Sequence, residues 1–268
     1  VEPIGWRGIL GVVAAFTGLL VVMVLLWVPE SLPAERRHDG GLRILLDGTR
    51  ELARDHVLVR LLFINALSFG LLMAYLSAAP FVLRNVLGMG TVAYTAVFGL
   101  CGATVTVTIA VAASLVRRFS QARQVRVGLI AGLVVDTVFA GVCLTWLREP
   151  VTGPERMPLL VAVVALFLAH VACLGLSMGN APALALDRAG RWAGTGSALL
   201  GFLQFVVGGL VSPLVGLTGE ASGVAFGVVI VAVGAVANVL AVFGLRERGE
   251  KQRLAAQVTE CRQQRLGQ

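Results

Sequence analysis

Seven stretches of this chain, 8–29, 61–83, 85–116, 127–147, 157–186, 192–219 and 221–245, are free of charged residues except for Asp136. Each is at least as long as the ~20 residues that a helix needs to cross the hydrocarbon core of a bilayer. No soluble fold needs so many such runs in succession. Composition agrees: 57% of the 268 residues are hydrophobic, 14% are charged and the mean hydropathy is +0.86. An ordinary soluble domain carries about 25% charged residues. The expected fold class is an all-α integral membrane protein with seven transmembrane helices.

The expected organisation is a first helix within 1–29, a linker at 30–59, a six-helix bundle at 60–246 and a polar tail at 247–268. Pro29-Glu30-Ser31-Leu32-Pro33 is a sharp stop after the first span. In the linker, Leu42, Leu45, Leu46, Leu52 and Ala53 recur near helical spacing among charged residues. They predict a short amphipathic helix on the membrane surface. The chain begins at Val1, and its first span is too long for a signal-peptide core. The expectation is a fragment or a trimmed chain.

The net charge of +7 invites a nucleic-acid reading, but its placement argues against one. Eighteen cations lie in the first linker, the loops after the third and fifth spans, and the tail; only Arg7, Arg84, Arg148 and Arg156 lie on the other side. That asymmetry follows the positive-inside rule and puts the linker and the C-terminus in the cytoplasm. The expected partner is the lipid bilayer, with no nucleic acid.

The sixth span raises a question, because GSALLGFLQFVVGGLVSP (196–213) is apolar yet rich in glycine. On a helical wheel, Leu199, Leu203, Val206, Leu210 and Leu214 occupy one arc, while Ser197, Gly201, Gln204, Gly208 and Ser212 lie opposite. In lipid, helix association rests on close packing and hydrogen bonds, and small residues let backbones approach. Gly201, Gly208 and Ser212 are therefore expected to pack against a neighbouring helix. In the seventh span Gly223, Gly227, Gly234 and Asn238 repeat the device. The same small faces also suit a bundle that slides or lines a cavity.

The chain has no HExxH, no Gly-x-Ser-x-Gly and no phosphate-binding Gly-Lys-Ser/Thr loop. Cys101, Cys143, Cys173 and Cys261 have no metal-site or disulfide spacing, and neither an enzyme nor a metal site is expected. Two ionisable groups lie inside spans: Asp136 near the middle of 127–147 and His170 near the middle of 157–186. Those spans are consecutive and antiparallel, so the two side chains can meet as a buried pair. The alternative is that each bonds a different neighbour. The single lysine, Lys251, lies in the tail, which excludes a retinal Schiff base within the bundle.

Several motifs resemble the major facilitator superfamily, whose 12 helices form two six-helix halves joined by a long cytoplasmic loop. Gly5-Trp6-Arg7 resembles the opening of its sixth helix, and Pro29-Glu30-Ser31-Leu32 the exit into the central loop. Arg117-Arg118-Phe119 with Arg123 resembles the basic loop between helices eight and nine. Gly179-Asn180-Ala181-Pro182-Ala183-Leu184-Ala185-Leu186, the run from Ala193-Gly194-Thr195-Gly196 to Gln204, and Ala79-Pro80-Phe81-Val82-Leu83 are similar to the Bcr/CflA-type drug-efflux subfamily. The chain then corresponds to helices 6–12, the sixth helix plus the C-terminal half.

The resemblance implies proton-driven export of small, partly apolar molecules by alternating access across the bacterial inner membrane. It implies no cofactor, with the proton gradient as the energy source. Asn65, Ser68, Tyr75, Asn180 and Gln204 become candidate cavity residues. The ninth helix is usually peripheral, which argues against Asp136 as the transported proton's carrier. The family's usual proton-carrying acids lie in the N-terminal half, so that half is an expected partner. Uptake of a metabolite on the same fold, or a half-bundle receptor or interaction module, are the alternatives.

Overall fold

A computed structural model describes residues 5–27, 42–219 and 222–243. The Pro29–Pro33 stop, Cys261 and the 247–268 tail lie outside the described residues. Every regular element described is helical. The chain divides into two compact units, the first reaching Ile44. The first contains α1 (Gly5–Trp27), whose Thr17 hydroxyl donates to the Val13 carbonyl at 2.8 Å.

The second unit is a helical bundle. It comprises most of α2 (Leu42–Ala53), then α3 (His56–Pro80), α4 (Thr91–Leu115), α5 (Gln121–Thr145), α6 (Arg156–Ala189), α7 (Ala193–Leu214) and α8 (Val224–Phe243). Among the described residues six helical stretches are long and apolar enough to cross a membrane. One of them, Arg156–Leu214, is 59 residues long and contains both α6 and α7. A 3₁₀ turn at Gly190–Trp192 separates the two, and Gly190 has a φ of +52° that interrupts the helix.

Local sequence explains several helix ends. Asp55 caps α3, its carboxylate accepting from the Val57 and Leu58 amides at 3.0 and 3.2 Å. Ser120 caps α5 by accepting from Arg123 N at 3.3 Å. Beyond Pro80, α3 widens into a π-helical segment, Phe81–Val86, and the chain then turns at Gly88 with φ +61°. The Arg156 guanidinium fastens that turn, its Nε and Nη2 donating to the Leu87 and Gly88 carbonyls at 2.7 and 2.5 Å.

Helix α6 is the hub, touching α3, α4, α5 and α7. Its Phe167 meets Phe139 of α5, Phe226 of α8 and Tyr75 of α3, with ring centroids 4.8, 5.6 and 5.3 Å apart. A second apolar cluster, including Leu58, Leu61, Ile64, Val125, Ala181 and Ala185, fills the other end.

Glycines set how closely these helices lie. A Cβ at Gly208 of α7 would sit 2.8 Å from Met73 Cγ on α3, and Ser212 Oγ lies 2.5 Å from Ser77 Oγ. A Cβ at Gly223 would lie 3.2 Å from Leu147 Cβ, and one at Gly227 would lie 2.9 Å from Cys143 Cβ and 3.0 Å from Ala140 Cα. Gly201 departs from its expected packing role: a Cβ there meets nothing within 4 Å among the described residues. Its neighbours Leu200 and Leu203 still pack in one cluster with Leu58 and Leu61 of α3, so the two helices stay in contact through side chains at that level. Leu45 and Leu46 are exposed, whereas Gly48 and Leu52 are buried, with Gly48 so close to Trp192 that a Cβ would meet its ring at 2.6 Å.

Gly227→Val should therefore lower stability by about 1–3 kcal/mol through overpacking, and Gly201→Val should change it little. Melting of both variants in one detergent checks the contrast.

Candidate functional site

The α5–α6 interface follows from residue spacing. Gln124, Gly128, Gly132 and Asp136 recur every fourth residue and share one face of α5. Antiparallel to it, α6 presents Asn180, Ser177, Cys173 and His170. At one end Asn180 Nδ2 donates to Gln124 Oε1 at 3.3 Å. In the middle, a Cβ on Gly128 would lie 2.9 Å from the Cys173 carbonyl and 3.0 Å from Ser177 Oγ, and one on Gly132 would lie 3.5 Å from Cys173 Cβ. At the other end His170 Nδ1 lies 2.5 Å from Asp136 Oδ1. Two polar rungs thus bracket a stretch where the backbones approach closely.

Both Asp136 and His170 are only 1% exposed. Each is one helical turn from a core phenylalanine, Phe139 and Phe167 respectively. Helix α8 closes the third side: a Cβ on Gly234 would sit 3.3 Å from Asp136 Oδ2. A turn further on, Asn238 Nδ2 donates to the α5 carbonyl of Leu129 at 2.9 Å. A void of about 10 Å³ is lined in part by Asp136, His170, Ser177 and Gly234. His170 Nε2 and Ser177 Oγ are buried without a hydrogen-bond partner among the described residues. An ionisable pair in an apolar bundle is stable only while its members satisfy each other.

The five candidate cavity residues have different surroundings in the described structure. Tyr75 lines a groove of about 200 Å³ with Phe98, Cys101, Gly102 and Val105. Its ring stacks on Phe98 with centroids 6.1 Å apart. Ser68 is buried and donates to the Ile64 carbonyl of its own helix at 2.9 Å. Asn180 forms a rung of the α5–α6 interface. Gln204 is half-buried on α7. Asn65 is buried with neither amide atom partnered among the described residues. Gln124, Gly128 and Gly132 were not singled out from the sequence, although their four-residue spacing to Asp136 is a legible signal.

A second charged cluster lies at the start of α3. Arg188 Nε bonds Asp55 Oδ2 at 2.6 Å, while Asp55 Oδ1 caps α3. Arg191 Nη2 reaches both Glu51 oxygens at 2.8 and 2.7 Å, tying α2 to the turn between α6 and α7. Burial pushes the Asp55 carboxyl upward, but its bonds to Arg188 and the helix amides outweigh this and leave it below its ordinary 3.8. Bonding to Arg191 holds Glu51 below its usual range. The Glu51–Arg191 pair is exposed and adds little to stability.

With this arrangement in view, comparison with known proteins gives the family. Residues 1–213 match the family model of the Major Facilitator Superfamily, and the chain belongs to it. It is also similar to a Bacillus subtilis (strain 168) protein described as "Uncharacterized MFS-type transporter YdgK", with 27% identity over 244 residues. The match covers 90% of this chain and 56% of that protein, so the chain spans little more than half of its relative's length. No solved structure matches. The membrane-capable helices and the family together define a multi-pass membrane protein of a transporter family.

Two outcomes are expected at these sites. Asp136→Asn and His170→Gln should each destabilise the bundle, and the double variant should fall short of the additive loss by about 1 kcal/mol or more. Thermal melts of the four proteins measure that coupling. Because native Asp55 binds its proton more weakly than in the unfolded chain, its stabilisation is full at neutral pH and is lost as pH falls below 3.8. Asp55→Asn should reduce the loss of stability in acid, as read from melting temperature against pH.

Proposed function

We propose that this chain is the C-terminal part of a proton-coupled exporter of small, partly apolar molecules that works by alternating access. Family membership over residues 1–213 carries the reading. The motifs from Gly179 to Leu186 and from Ala193 to Gln204, which resemble the Bcr/CflA-type efflux subfamily, favour export over uptake. In this reading Arg156–Leu214 crosses the bilayer twice, once as α6 and once as α7. The chain then makes seven crossings that correspond to helices 6–12. The arginine-rich linker and tail face the cytoplasm of a bacterial inner membrane. The transport path is completed by the other five helices of the N-terminal half, which lie outside these 268 residues.

The groove beside Tyr75 supports an apolar or aromatic substrate, since its lining offers rings, a thiol and aliphatic carbons and no charge. Transport needs no cofactor, because the proton gradient supplies the work. The glycine and serine contacts of α7 on α3 suit a bundle whose helices shift without opening voids.

The test is export of a cationic dye and of chloramphenicol from pump-deficient cells. It compares this chain with a longer protein carrying five preceding spans, each with and without a protonophore. Uncoupler-sensitive export by the longer protein alone is the expected result. Accumulation inside the cells, with both proteins present in the membrane, would favour uptake instead.

A further inference from the structure

The buried pair offers a function that packing alone does not require. Asp136 and His170 hold one hydrogen bond between them, through Nδ1. The other imidazole nitrogen, Nε2, is buried and unpartnered among the described residues, as is Ser177 Oγ. His170 and Ser177 both line the void beside Asp136. Its volume of about 10 Å³ lies at the threshold for one water molecule. A pair built only to glue two helices needs neither a second open nitrogen nor a void beside it. Asn180 and Gln124 join the same helices without an ionisable group.

We propose that Asp136 and His170 form a buried proton-binding site whose exchangeable proton sits on His170 Nε2. In the loaded state Nδ1–H donates to the Asp136 carboxylate and Nε2 carries a second proton, so the pair has no net charge. On release the Nε2–H bond breaks and the proton passes to water through the void. The Nδ1–H···Oδ1 bond remains, and the pair carries one negative charge. No other bond changes and no electron moves.

The charge change is transmitted through α8. The Gly234 backbone lies against Asp136 Oδ2, and Asn238 of the same helix is bonded to α5. An uncompensated carboxylate there attracts water and polar groups into the seam. Proton release therefore loosens α8 from α5, and proton binding tightens it. Among the described residues few other ionisable groups face the pair. Cys173 of α6 interacts electrostatically with Asp136. The void's other lining residues are Leu71 of α3, Gly234 of α8 and further non-ionisable residues of α5 and α6. The proposal depends neither on what the chain carries nor on the direction of transport.

The test uses the whole chain in lipid nanodiscs with ¹⁵N-labelled histidine. Of the three histidines, His38, His56 and His170, the last is identified by the signal missing from His170→Gln. Between about pH 5 and about pH 8 its ring should pass from the doubly protonated to the singly protonated pattern. Asp136→Asn should weaken proton binding there about tenfold or more. Hydrogen exchange of the α8 amides near Gly234 should change with the same midpoint.

A His170 ring that keeps one protonation state across the range overturns the proposal, and so does a midpoint unmoved by Asp136→Asn. Exchange at α8 that ignores the titration removes the link to helix closure. If His170→Gln fails to fold, the double variant His38→Gln/His56→Gln leaves His170 as the one labelled histidine and decides the first point. Failure of the export assay would leave this titration unaffected, so the two readings fail separately.

Discussion

Inside a bilayer, apolar side chains gain little by leaving lipid for protein, so helices must be joined by close contact and hydrogen bonds. The α5–α6 seam meets that requirement with an alternation in register. Gly128 and Gly132 bring the backbones together, and the polar rungs at either end fix both helices along their axes. Sliding α5 by one residue would rotate Asp136 away from His170 and carry a glycine out of the contact. The aromatic cluster on one side of the pair and the aliphatic cluster on the other rest on this seam.

Helix α8 depends on it in turn. Gly223, Gly227 and Gly234 lay its backbone along α5 beside Cys143, Ala140 and Asp136. The α7–α3 contact solves the same problem differently, pairing Gly208 with Met73 and Phe69 and bonding Ser212 to Ser77. In both places a missing Cβ and one polar contact are combined, as association in lipid favours.

Much of this was legible in the residues. Charge-free runs located the helices because a bilayer tolerates little else. Centring Asp136 and His170 in adjacent antiparallel runs put them at one depth, where the structure finds them bonded. Other features were not legible, for identifiable reasons. A helical wheel shows that Gly201 shares a face with Gly208 but not at which of the two a neighbouring side chain comes close. The leucines of α2 gave its apolar stripe, of which Leu52 is buried, but not the close approach of Gly48 to Trp192, 144 residues further along the chain. The bonds of Asp55 to Arg188 and of Glu51 to Arg191 cross similar distances, and no local pattern marks them.

The length of α6 sets a further condition. Its 34 residues give a rod of about 50 Å, against a hydrocarbon layer about 30 Å thick. Tilt alone at the usual ~20° absorbs only a few ångströms of that excess. Roughly three turns must therefore project beyond the oily layer. If the Arg188 end is the one that projects, its guanidinium and the Asp55 carboxylate meet among headgroups rather than among acyl chains. Membrane thickness then becomes a variable acting on that ion pair: a thicker bilayer draws it toward the hydrocarbon, and a thinner one leaves it in water.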